Sequence, residues 1–227
     1  MSDSDSDSGQ CQWAVFLTAK VPTKVVNRAL LLIQGFEFSE NLGDGNWTLL
    51  TSEDLSEKSP PPTSAPLTKD QRNDFAGKSL AEVNTFVRSN AVRLEELGFV
   101  VDLWLVLDDA GLVPLGTDPA AASTSTSTSN GVLCKQCFAG GDEDEIETWG
   151  YTDDFETLRA PLDQTWEVFA GLNSGAEFLD FQDTDCTVQA DGTTKFNPEA
   201  RREVTNADVL ERKRKAWHAW RDQGFIE

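Results

Sequence analysis

The sequence predicts a mixed α/β domain of the α+β kind: a single sheet packed with helices, with a disordered acidic N-terminus and polar inserted loops. Three observations carry that expectation. Phe99–Leu107 is almost continuously apolar, as a central strand buried on both faces must be. Leu80, Val83, Phe86, Val87, Ala91 and Leu94 recur at helical spacing just before it. Further helical and β-prone segments interleave along the chain, which favours a sheet covered by helices.

The elements follow in order. Gln12–Thr18 reads as an apolar, aromatic strand, and Val25–Gln34 as a helix that starts after Pro22 and Thr23 and stops at Gly35. Asn46–Thr51 is a short strand after the Gly43-Asp44-Gly45 turn. Ser79 is an N-cap for a helix running to about Leu97 and closing at Gly98. Asp102 interrupts the strand that follows, where a carboxylate needs a partner or an edge. Gly131–Phe138 and Thr157–Ala160 read as strands, and Pro161 opens a helix bearing Trp166, Phe169 and Leu172. A short helical turn holds Phe178, Leu179 and Phe181, and Asp191-Gly192 marks a hairpin within Cys186–Phe196. The last helix begins near Asn206 and ends before Gly224.

Composition divides the chain into a disordered acidic tail over 1–10, one α/β domain over 11–200 and a basic C-terminal helix over 201–227 that packs on it. Ser2–Ser8 alternates Ser with Asp and has nothing to bury. Flexible inserts are expected near 57–72, around Pro60-Pro61-Pro62, and near 117–130, which holds the run Ser123–Ser129.

The 227 residues carry a formal charge of −20, unevenly spread: residues 201–227 sum to +2 and the rest to −22. That field repels phosphate backbones and anionic membrane surfaces, so neither nucleic acid nor membrane is an expected partner. It serves solubility, or a basic protein partner. The N-terminus has neither the positive start and apolar core of a secretory signal nor transit-peptide character. With four cysteines and no such leader, a reducing compartment is expected, the cytoplasm first and the nucleus second.

No catalytic constellation stands out. Cys134-Lys135-Gln136-Cys137 has metal or redox spacing, but no second close pair exists to complete a zinc site, and in a strand residues three apart face opposite ways. His218 is the single histidine and sits among Trp217, Ala219 and Trp220. Glycine-rich nucleotide fingerprints are absent from the sequence. Carboxylates are plentiful at Asp108-Asp109, Asp142–Glu145, Asp153-Asp154, Asp180, Asp183 and Asp185, yet a hydrolase needs two converging across a cleft. No cofactor, metal ligand or catalytic residue is therefore assigned.

The tail is the most informative surface element. Arg212-Lys213-Arg214-Lys215 precedes Trp217 and Trp220 on one helix. Its apolar stripe either completes the core or docks a protein partner, with Arg212, Lys213, Trp217 and Trp220 as contacts. The functional expectation is a non-catalytic protein-interaction or regulatory domain. The alternative is a hydrolase using acidic residues, or a thiol protein using Cys134 and Cys137.

Between Phe75 and Asp183 a helix leads into a strand ending in an aspartate, Leu103–Asp108, and a second strand at Val132–Cys134. Trp166, the Leu172-Asn173 turn and the pair Phe178 and Phe181 follow. In these features the stretch resembles a family of uncharacterised domains of unknown function. The resemblance covers under half of the chain; it implies the fold and supplies no catalytic residues.

Overall fold

The computed structural model describes residues 12–35, 46–55, 60–112, 129–138, 151–183, 188–200 and 206–227. The acidic N-terminus, most of the 117–130 insert and the Asp142–Glu145 run lie outside the described residues. Six strands form one mixed sheet: β1 (Gln12–Leu17), β2 (Trp47–Leu50), β3 (Phe99–Leu107), β4 (Asn130–Phe138), β5 (Tyr151–Pro161) and β6 (Thr194–Lys195), in the order β2-β1-β3-β4-β5-β6. β2, β1 and β3 run parallel, β4 is antiparallel to both neighbours, and β6 is parallel to β5.

Helices cover both faces. On one, α1 (Thr23–Leu32) and α5 (Thr165–Asn173) pack against Trp13, Val15, Leu105, Leu133 and Leu158. Trp13, Trp47 and Phe169 meet there, mostly edge to face, with centroids 4.8–5.4 Å apart, which adds to their area burial. On the other face α2 (Leu80–Ser89) and α3 (Ala91–Glu96) bury Val83, Phe86, Val87 and Leu94 against Phe16, Trp104 and Val106. α4 (Asp109–Leu112) is one turn after β3, and α6 (Ala207–Asp222) lies outside α1. Apolar β3 is thus the central strand its composition predicts, with Leu103–Leu107 buried throughout.

Several differences from the sequence expectation have physical causes. The helix expected from Ser79 to Leu97 is broken at Asn90, whose side chain donates back to the Phe86 carbonyl at 2.8 Å and ends α2. Such local side-chain bonds compete with helix continuation. Ser79 does form its capping box with Glu82. In β3, Phe99 and Val101 face the α2–α3 side, but so do Trp104 and Val106, so the alternation shifts phase between them. Asp102 sits in that irregularity, half-exposed, where the pairing with β1 jumps register. The break in the ladder, rather than a sheet edge, is what keeps this carboxylate part-exposed on an inner strand. β5 is far longer than Thr157–Ala160, because the β4 ladder extends back to Tyr151. The Asp191-Gly192 turn forms, with Gly192 at φ +83°, but no hairpin does among the described residues. Its second arm instead pairs in parallel with β5 as β6.

The expected flexible insert near 57–72 is, over residues 60–72, tied to the body. Thr63 donates its N–H to the Trp47 carbonyl at 2.9 Å and accepts from the Leu49 N–H at 2.6 Å, covering the free edge of β2. Covering an edge in this way prevents unwanted strand pairing. Asn27 of α1, only 1% exposed, accepts from the Leu67 N–H and donates to the carbonyls of Leu67 and Phe225. One side chain thus binds α1 to the strap and to the C-terminal residues.

Candidate functional site

In a sheet of order β2-β1-β3 with helices crossing on opposite faces, a ligand crevice is expected where the crossovers diverge, beyond the carboxyl ends of β1 and β3. Here that crevice holds the chain itself. Thr18 and Ala19 both donate to the Leu107 carbonyl, and Gly77 donates to Thr18 at 2.8 Å. The Asn73 amide donates to the Leu17 carbonyl at 2.6 Å, and the Lys20 N–H donates to Asp109 at 3.1 Å. Phe75, fully buried against Phe16 and Phe86, fixes the strap in place.

Beside it, at the ends of β1 and β2, a cleft of ≈ 100 Å³ runs beneath Asp70, Gln71 and Asn73, floored by Leu17, Val26 and Leu49. Typical small-molecule pockets hold about 300–1,000 Å³, so this one admits only a few atoms. At its rim the Thr23 hydroxyl donates to Asp70, so the α1 N-terminus already faces a carboxylate of the chain.

A three-residue charge cluster lies further along the same sheet end. Arg159 of β5 forks onto Asp108, with Nη1 and Nη2 at 3.0 and 2.7 Å from its two oxygens. The same guanidinium donates through Nε and Nη2 to Asp191 at 3.1 and 2.7 Å. Asp108 also accepts from the Gly111 N–H at 2.9 Å. A side chain at Gly111 would place its Cβ 2.0 Å from the Asn130 carbonyl, so only glycine permits this approach. Asp191 accepts in turn from the N–H and hydroxyl of Thr193, at 3.0 and 2.6 Å.

Chemically the cluster is closed. Burial works against the Asp191 carboxylate, but hydrogen bonds from Thr193 and the charge of Arg159 outweigh it and hold its pKa below the ordinary range. A general acid needs the opposite shift. Burial likewise opposes the Arg159 charge, and the two carboxylates more than offset it. The aspartates converge on an arginine as counter-ions, rather than across a cleft as a hydrolytic pair would.

Beside this cluster, Cys134 is completely buried. Desolvation first, then the Asp108 charge, push its thiol far up, with Arg159 opposing. Burial, then Glu156 and Asp154, also raise the Cys137 thiol. Both are free cysteines on a strand, Cys134 buried and Cys137 half-buried. Neither environment favours the thiolate that redox or nucleophilic work requires. Among the described residues, no group of three or more His, Cys, Asp or Glu is arranged to hold a metal ion.

The sequence-selected tail residues separate. Asn206 caps α6, accepting from the N–H groups of Asp208 and Val209. Trp220 is 4% exposed and packs with Val209, Ala216 and Ile226 on Leu31 of α1, so it completes the core and is not offered to a partner. Trp217 is half-buried, with the Arg28 guanidinium 5.0 Å above its ring. Arg212 and Lys213 flank the buried stripe, half-covered, as long basic side chains do when their stems lie along apolar surface. Arg214, Lys215, His218 and Arg221 are exposed. Sequence reading did not single out Arg159, Asp191 and Asn27; Asp191 was legible only as a turn residue. No helix among the described residues is long and apolar enough to cross a membrane.

These features define a mixed α/β protein whose expected ligand crevice is filled by its own chain. No family model, curated protein or solved structure matches it.

Proposed function

We propose that this chain is a non-catalytic protein-interaction or regulatory domain. The observation that carries the reading is the self-occupied crevice: residues 73–77 and Asp109 hydrogen-bond the strand ends where a substrate would enter. The Asp108–Arg159–Asp191 clasp and the raised thiols of Cys134 and Cys137 support it, because neither arrangement favours hydrolytic or thiolate chemistry. Such a body acts by presenting surface.

The test is the size of the chain in native extract, by size-exclusion chromatography followed by cross-linking. A complex well above the mass of the chain, cross-linked to a second protein, is expected. Elution at its own mass with no cross-link overturns the reading.

A further inference from the structure

On this acidic protein the layer formed by α1 and α6 is net basic. Thr23–Leu32 contains Lys24 and Arg28 and no acidic residue; Ala207–Asp222 contains five basic residues and three acidic ones. α6 turns Val209, Ala216 and Trp220 inward. At 100° per residue, Leu210, Arg214, Trp217 and Arg221 then share a stripe on one flank, about 110° round from the buried side and free of acidic side chains. Leu210 is 47% exposed there. Arg28 reaches the stripe from α1 by stacking on Trp217. Glu211 lies on the outermost side and accepts from Arg214 through Nε and Nη2 at 2.9 and 3.0 Å, with the Lys215 ammonium 3.8 Å away.

We propose that this stripe docks an acidic protein segment bearing aliphatic side chains, which meet Leu210 and Trp217 while its carboxylates meet Arg214, Arg221 and Lys24. The inference rests on the interaction reading and names its surface and partner class. Charge decides the class. Sixteen helical residues span about 24 Å, and salt screens charges beyond about 8 Å at physiological ionic strength. A short acidic segment stays within this layer, where seven basic side chains outnumber three acidic ones. A duplex, with one charge about every 1.7 Å and no natural end, runs on over acidic surface. Aromatic and arginine side chains are also the residues enriched at protein–protein contacts.

The experiment uses the full chain and its Arg214→Gln/Arg221→Gln variant, with a synthetic Glu/Leu helical peptide and a DNA duplex as probes. Tryptophan emission and calorimetry read binding. Both altered side chains are exposed, so the variant should keep the wild-type thermal midpoint. The peptide should bind the wild type, weaken as salt rises, and bind the variant at least ~10-fold less tightly; the duplex should not compete. Equal binding to both proteins, no binding at low salt, or a duplex bound as well as the peptide overturns the proposal. Should the chain sit in a native complex that the variant keeps, the surface is wrong and the interaction reading stands. A chain that elutes alone removes the reading itself.

Discussion

Replacing Arg159 by Met, which keeps much of the stem and deletes the guanidinium, removes four charge-assisted hydrogen bonds to Asp108 and Asp191. The side chains are 11% exposed for Arg159, 22% for Asp108 and 41% for Asp191. Breaking one partner from a buried ion pair costs about 3–5 kcal/mol, whereas exposed pairs are worth ~0–1 kcal/mol. Asp108 resembles the first case, and Asp191 is wet enough to resemble the second. The expected loss is therefore about 2–3 kcal/mol, a fall in thermal midpoint of roughly 5–10 °C for a chain this long. Urea denaturation at neutral pH measures it, with an unchanged slope showing that the folded state is intact. Because the folded Asp191 has a lowered pKa, its contribution is present above the ordinary carboxylate pKa and lost as pH falls through the lower folded value. The gap between wild type and variant should narrow below about pH 4. A neutral-pH loss under ~0.5 kcal/mol, the size of an ordinary surface change, would refute the view that the clasp fixes the 189–193 turn to the sheet.

Three further outcomes are expected. Asn27→Ala leaves three backbone groups without their partner and should cost about 2–3 kcal/mol, with hydrogen exchange at Leu67 rising more than at Leu105. Trp220→Ala should cost about 3–5 kcal/mol, while Arg214→Ala should stay within ~0.5 kcal/mol; equal effects would contradict the inward orientation of Trp220. In the folded protein at neutral pH, Cys134 should react with a thiol reagent only as fast as the protein unfolds, because the thiol is buried and protonated. Mass spectrometry of the labelled peptide decides this, and rapid labelling of native protein would reopen a thiol chemistry.

Most of the fold was legible where local rules act alone. The apolar run Phe99–Leu107, the Ser79 and Asn206 caps, and Gly98 and Gly224 at positive φ all stand where composition points. What escaped depends on distant residues. The length of β5 is set by its ladder with β4, and the parallel pairing of β6 overrides a good hairpin turn. Pro60-Pro61-Pro62 reads as a linker, yet just beyond it Thr63 and Asn73 bond the backbone of β2 and β1, and Leu67 bonds the Asn27 side chain of α1. The Arg159 clasp joins residues 51 and 32 positions away, for which no local pattern exists. The two tryptophans of the tail share one helix, but only the presence of Leu31 beneath it decides that Trp220 turns inward.

The proposed division of labour, a body that binds no substrate and a basic layer that docks a partner, is tested most directly by amide chemical-shift mapping of the full chain titrated with the Glu/Leu peptide. Shifts confined to Thr23–Leu32 and Ala207–Asp222, with Leu107, Asp108 and Arg159 unmoved, are the predicted result. Shifts centred on the strand ends at Thr18, Asp108 and Asn73 would contradict it.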